Sequence, residues 1–177
     1  RSLVSIRRDR IDARSLQAVP LLFSRALLLV QYIHDFHLDG QLILRRADIT
    51  DVSCRATDKF QQQLLTDSGA FQKIHFAFAA ELSSFSSLLQ QQPKSSIVIL
   101  ESERRAAADF WIGRHVESDA NKVRLHEFSG AGCWHDELTT ISASDITCCQ
   151  LNTNYIRHYA AYFARQSPSE SAVQDTT

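Results

Sequence analysis

The 177-residue chain contains no methionine, only five glycines and three prolines, and four cysteines. The missing methionine, absent even at position 1, predicts a natural N-terminus upstream of Arg1. So few glycines leave little material for loops that cradle phosphate. Neither a glycine-rich nucleotide loop, nor a Gly-x-Ser-x-Gly elbow, nor a His-Glu-x-x-His helix occurs. Cys54, Cys133, Cys148 and Cys149 build no disulfide framework in a chain of this size. The adjacent pair would point to opposite faces of a strand, and reduced thiols of a cytoplasmic protein are the simplest reading. The apolar run Ala26 to Val30 falls far short of the ~20 residues that a spanning helix needs, and no charged-then-apolar leader is present. The formal net charge of −1 argues against general nucleic-acid binding driven by counterion release. Together these absences predict a soluble, cytoplasmic, non-catalytic protein that needs no cofactor and no membrane.

What is present supports a packed core: 44% of the residues are hydrophobic and 22% charged. Charge is distributed unevenly, with ten Lys/Arg against seven Asp/Glu in residues 1–60 and seven against eleven in 97–177. Val4 and Ile6 alternate with Ser5 and Arg7, which predicts a first strand over 3–12. Pro20 lies in an apolar patch and is expected at a strand edge or entry. Ala26 to Phe36 and Gln41 to Arg46 read as two strands, with Asp39-Gly40 as the hairpin turn between them. Thr57 can cap a helix carrying Phe60, Leu64 and Leu65, which Gly69 ends. Phe71, Ile74, Phe78, Leu82, Phe85 and Leu89 recur every three or four residues, predicting a second helix that stops at Pro93. Strands are then expected over 97–100, 109–116, 122–128 and 133–141, with Ser129-Gly130-Ala131-Gly132 as a hairpin connection. Thr153 would cap a last helix bearing Tyr155, Ile156, Tyr159, Tyr162 and Phe163. Residues 166–177 are polar, lack periodicity and read as a disordered tail.

One short element occurs twice. Ala47-Asp48-Ile49-Thr50 returns 97 positions later as Ser144-Asp145-Ile146-Thr147, each time before a short strand and a helix. The expected role is structural: isoleucine in the core, aspartate and threonine fixing the bend. Each unit has about five short strands joined by tight turns, which suggests a small barrel. The expected organisation is a first barrel over 1–57, a helical connector over 58–95, a second barrel with its terminal helix over 96–165, and the tail.

This pattern resembles the Sm-like (LSm) family of small SH3-like barrels, over most of both units by strand order but over one loop by residue. Asp35-Phe36-His37-Leu38-Asp39 is similar to that family's Asp-x-(aromatic or His)-(Met or Leu)-Asn turn between the second and third strands. The resemblance implies a mainly β fold with helices, as two tandem Sm-like barrels joined by a helical segment. It also implies RNA contact, with His37 at the base-stacking position and Asp39 at that of the base-reading asparagine. The family's Arg-Gly pair before the last strand has no counterpart here, since Ala47-Asp48 and Ser144-Asp145 occupy that region. Members of the family commonly pair by edge strands, so the resemblance also implies homo-oligomers.

The residues themselves offer several sites. His34, Asp35, His37 and Asp39 are dense enough for a metal, but a solvated turn is the commoner explanation. Cys133-Trp134-His135-Asp136-Glu137 lacks the paired spacing of structural zinc sites, and buried thiols acting as small hydrophobes are the commoner case. Arg7, Arg8 and Arg10, together with Arg45 and Arg46, could form a basic patch if their strands are neighbours, against ordinary charge on a strand edge. The expected nucleic-acid site is therefore Asp35, His37, Asp39, Arg45 and Arg46. The competing expectation is protein–protein assembly through strand edges or the linker helix.

Overall fold

The computed structural model describes residues 2–76, 80–104 and 109–166. Its first half contains strands β1 (Val4–Arg8), β2 (Asp12–Phe23), β3 (Leu27–His34), β4 (His37–Arg45) and β5 (Asp51–Ser53), then helix α1 (Ala56–Asp67). A short helix, α2 (Phe85–Gln90), precedes the second half. That half contains β6 (Ile97–Ser102), β7 (Asp109–Ser118), β8 (Lys122–Glu127), β9 (Thr139–Ser142), β10 (Cys148–Leu151) and helix α3 (Asn154–Gln166). Among the described residues no helix is long and apolar enough to cross a membrane.

The ten strands form one antiparallel sheet in the order β5-β1-β2-β3-β4-β10-β6-β7-β8-β9. The protein is thus mainly β with helices, as the sequence suggests, but the sheet is open. Two separate closed barrels are not seen, because β4 pairs with β10 and carries the sheet across the expected boundary. Each half repeats the same order, its fifth strand beside its first and its fourth at the far side.

The halves share one core. Leu29 and Ile43 from the first pack with Leu100, Leu125 and Cys149 from the second, under Phe85, Leu88 and Leu89 of α2. Burying such side chains fully contributes about 1.5–3 kcal/mol each, so this cluster alone ties the halves firmly. Each half also keeps a helix of its own. Leu65 of α1 sits among Leu3, Val19 and Ile33, and Ile156 and Phe163 of α3 sit among Ile97, Ile99 and Phe128.

Several local expectations are revised. The β3–β4 turn is Asp35-Phe36, both in the left-handed region (φ 45° and 62°), while Asp39 and Gly40 lie inside β4. Gly40 keeps its positive φ of 70° because the backbone of Asn152 and Thr153 lies against it, where no Cβ fits. Pro20 lies in β2 beyond Ala18, the last residue paired with β1, so its one strand neighbour is β3, and that pairing shifts register between Pro20 and Leu22. Helix α1 starts at Ala56 after Arg55, so Thr57 is inside it; the buried Asp58 carboxylate accepts the Arg55 N–H and the Ser5 hydroxyl instead. Of the long helix expected over 71–92, the described residues show a 3-10 turn at Phe71–Lys73 and α2, which Ser84 caps by accepting the Ser87 N–H, while Phe78 lies outside the described residues. The strand expected over 133–141 shortens to β9, preceded by one bridge between Phe128 and Trp134. Thr153 does precede α3, its hydroxyl accepting the Ile156 N–H at 3.5 Å. The expected disordered tail lies outside the described residues, apart from Gln166.

Candidate functional site

The two Asp-Ile-Thr elements make the same lock at equivalent places. In the first half the Thr50 hydroxyl donates to Asp9 Oδ2 (2.8 Å) and accepts the Asp9 N–H (3.2 Å). In the second the Thr147 hydroxyl donates to Glu103 Oε2 (2.7 Å) and accepts the Glu103 N–H (3.2 Å). The threonine N–H groups also repeat, donating to Arg7 O and Glu101 O at 2.8 Å. Asp9 therefore corresponds to Glu103, Thr50 to Thr147, and β5 to β10. What differs is cover: Thr147, Cys148 and Cys149 are buried, whereas Thr50, Asp51 and Val52 are exposed. The cover is β4, which lies along the outer edge of β10 with Leu44 opposite Cys148 and Ile43 opposite Cys149.

Charge reinforces this junction. Arg8, 5% exposed at its side chain, makes a two-pronged pair with Glu103 at 2.6 and 2.8 Å. Burial works against the Arg8 charge, yet the bonds to Glu103 more than offset it and the guanidinium pKa is raised. Asp48 of the first lock pairs with Arg104. Glu101 accepts from the Gln150 amide at 2.7 Å, and burial, aided by the charge of Glu103, pushes its carboxyl pKa up. Burial likewise pushes the Cys148 and Cys149 thiols up, so they act as small hydrophobes here.

The structure places the expected nucleic-acid residues at two ends of one strand. Asp35, His37 and Asp39 surround the β3–β4 hairpin, which joins the third strand to the fourth rather than the second to the third. A recess of about 460 Å³ there is lined by His34, Asp35, His37, Asp39, Asn154 and Arg157. Asp39 Oδ1 accepts the Asn154 N–H at 2.6 Å and so serves the start of α3. Arg45 lies at the other end of β4, about 26 Å away at ~3.3 Å per residue. Its guanidinium donates to the carbonyl oxygens of Ile146 (2.7 Å) and Ala143 (3.1 Å), closing the junction. Arg46 donates to Ser24 O at 2.6 Å and lies over the Phe23 ring. The arginines expected to form a patch are thus largely engaged: Arg8 with Glu103, Arg7 with Asp9, and Arg45 and Arg46 with carbonyls.

Among the described residues, no group of three or more His, Cys, Asp or Glu side chains is placed to hold a metal ion. Cys54 and Cys133 are exposed, and Cys148 and Cys149 lie in the core. Trp134 packs against Phe128 and Phe163, with the Arg114 guanidinium 4.6 Å from its ring.

The sequence points to strand edges as an assembly surface without saying which strands end the sheet. β5 and β9 end the sheet and, among the described residues, each has a strand neighbour on one side only. Val52 on β5 is 51% exposed. On β9 the Ala143 N–H donates to Asn121 O, which turns residues 143 and 141 toward β8 and residues 142 and 140 outward. The signal available in the sequence was the repeated Asp-Ile-Thr element itself, which marks β5 as the counterpart of a strand that is paired on both sides. Searches with protein-family models, against curated proteins and against solved structures find no match to this chain.

Proposed function

We propose that the protein is a non-catalytic scaffold that assembles with copies of itself through its two open sheet edges. The observation that carries this reading is the β4–β10 junction, where two like units already join edge to edge. Each half is read as one Sm-like small-barrel unit, a reading supported by the repeated strand order rather than by closure. An unpaired edge presents a row of backbone donors and acceptors to any matching strand. The test uses Thr140→Pro, which deletes an outward N–H and leaves the pairing with β8 intact, a position where an edge strand tolerates proline. The wild-type chain should show a solution mass that is a multiple of 20.0 kDa, and the variant a mass nearer 20.0 kDa with an unchanged melting curve. A wild-type chain that stays at 20.0 kDa at every concentration defeats the reading.

A second reading, RNA binding at the β3–β4 hairpin, draws on Phe36 (52% exposed) and His37 at the tip. It predicts salt-dependent retention of an oligo-U or oligo-A probe that His37→Ala weakens. Arg45 contributes little to it, being held on carbonyl oxygens. No retention at low salt removes this reading.

A further inference from the structure

The edges left open are counterparts of the two edges that meet inside the chain. β5 corresponds to β10 through the matched threonine locks, and β9 corresponds to β4 as the strand preceding each Asp-Ile-Thr element. We infer that copies join head to tail, β5 of one pairing antiparallel with β9 of the next, with Arg10 of the first set against Asp145 of the next. This rests on the self-assembly reading and adds which edge meets which, in what register, and with which charges.

Transferring the internal pairing fixes the register. Inside the chain Cys148, Cys149 and Gln150 face Leu44, Ile43 and Leu42. Moved by the 97-residue repeat, Asp51 faces Ile141, Val52 faces Thr140 and Ser53 faces Thr139 of the next copy. The transfer agrees with an independent fact. Internally the Arg45 N–H donates to Thr147 O, so residues 45 and 43 carry the bonds of the junction. Their counterparts are 142 and 140, the residues that the β8 pairing turns outward.

The charges transfer as well. Arg104 directly follows Glu103, and Arg10 directly follows Asp9, its counterpart at the threonine lock. Asp48 and Asp145 open the two Asp-Ile-Thr elements. The internal Arg104–Asp48 pair therefore has an equivalent between copies in Arg10 and Asp145, and Arg10 is exposed. Two internal ties have no equivalent. Arg45 is replaced by Ser142, and the Arg8–Glu103 pair by Ser102 and Asp9. The contact between copies is accordingly weaker than the internal one and depends on concentration. Because it joins unlike patches, it propagates, and it closes into a ring where the rotation per copy permits.

Cross-linking tests the pairing directly in the full chain, with the exposed Cys54 and Cys133 changed to serine. Two variants that each add one exposed cysteine to the buried Cys148 and Cys149, Val52→Cys and Thr140→Cys, are mixed and mildly oxidised. A hydrogen-bonded antiparallel pair has Cα atoms about 5.5 Å apart, within the span of a disulfide. The mixture should give a mixed disulfide at twice 20.0 kDa, and neither variant alone should. Arg10→Glu in the Val52→Cys chain should slow cross-linking by about fivefold at low salt. Adding Asp145→Arg to the Thr140→Cys chain should restore it. Disulfides between like variants, or a mass above 20.0 kDa without the mixed disulfide, overturn this pairing while leaving self-assembly standing. A monomer at every concentration overturns both.

Discussion

Replacing Glu103 with alanine isolates the energetic role of the junction. The Arg8 side chain is 5% exposed and that of Glu103 19%, so the variant leaves a guanidinium in the sheet interior without its anion. Breaking a buried pair from one side costs about 3–5 kcal/mol, and the partial access of water at Glu103 favours the lower end, about 3 kcal/mol. For a chain of this size that corresponds to a fall in Tm of about 6–12 °C. Urea unfolding followed by circular dichroism, at dilutions that keep the chain monomeric, reads the change. The matched control is Asp9→Ala, which removes the same threonine lock from an exposed position and should leave the midpoint within experimental scatter. Combining Glu103→Leu with Arg8→Met removes both charges and should recover most of the loss, because apolar replacement of a buried pair is often neutral or better. A Glu103→Ala variant that loses less than about 1 kcal/mol, or a double variant as unstable as the sum of its parts, refutes the reasoning.

Gly40→Ala places a Cβ 2.5 Å from the Asn152 carbonyl carbon and the Thr153 nitrogen at a φ of 70°. Left-handed strain and overpacking together should cost about 2–5 kcal/mol, with hydrogen exchange at the start of α3 rising first; an unchanged melting curve contradicts this. Glu101 has a pKa raised chiefly by burial and secondarily by Glu103, so its contribution is complete below the usual carboxylate range and is lost as pH rises through the raised folded value. Glu101→Gln keeps an acceptor for Gln150 and should therefore gain on the wild type in urea midpoint between pH 4 and pH 7. A wild type that gains on the variant over that range would falsify this.

The sequence carried strand order and the repeat because both rest on local pattern. Alternation in β1 and β8, and the doubled Asp-Ile-Thr, survive in the structure: Ile146 and Thr147 are fully buried, while in the first copy Ile49 is partly buried against the core and Thr50 is exposed. Hairpin chemistry misled at Asp39-Gly40. The glycine there answers to a backbone 112 positions away, Asn152, rather than to a turn of its own. The three- and four-residue spacing over 71–89 read as a helix, but Phe85, Leu88 and Leu89 are drawn into the shared core and Ser84 starts the helix late. The expected site residues are close in sequence but not in space, because β4 runs between the loop that carries Asp35 and His37 and the arginines at positions 45 and 46. Which strands end the sheet stays hidden, because openness is a property of topology and no residue type announces it.

Joining both units in one chain gives the β4–β10 contact a local concentration set by the linker rather than by the cell. Tethers of this kind act as if the partner were present at roughly millimolar levels. The inner contact therefore forms once per molecule and irrespective of dilution, while the contact proposed for the outer edges would have to wait for a neighbour. Side-chain choice follows that division. The tethered strand can carry Cys148 and Cys149, safely covered, whereas its counterpart at the sheet edge carries Asp51 and Ser53 around a single Val52, polar enough to tolerate water.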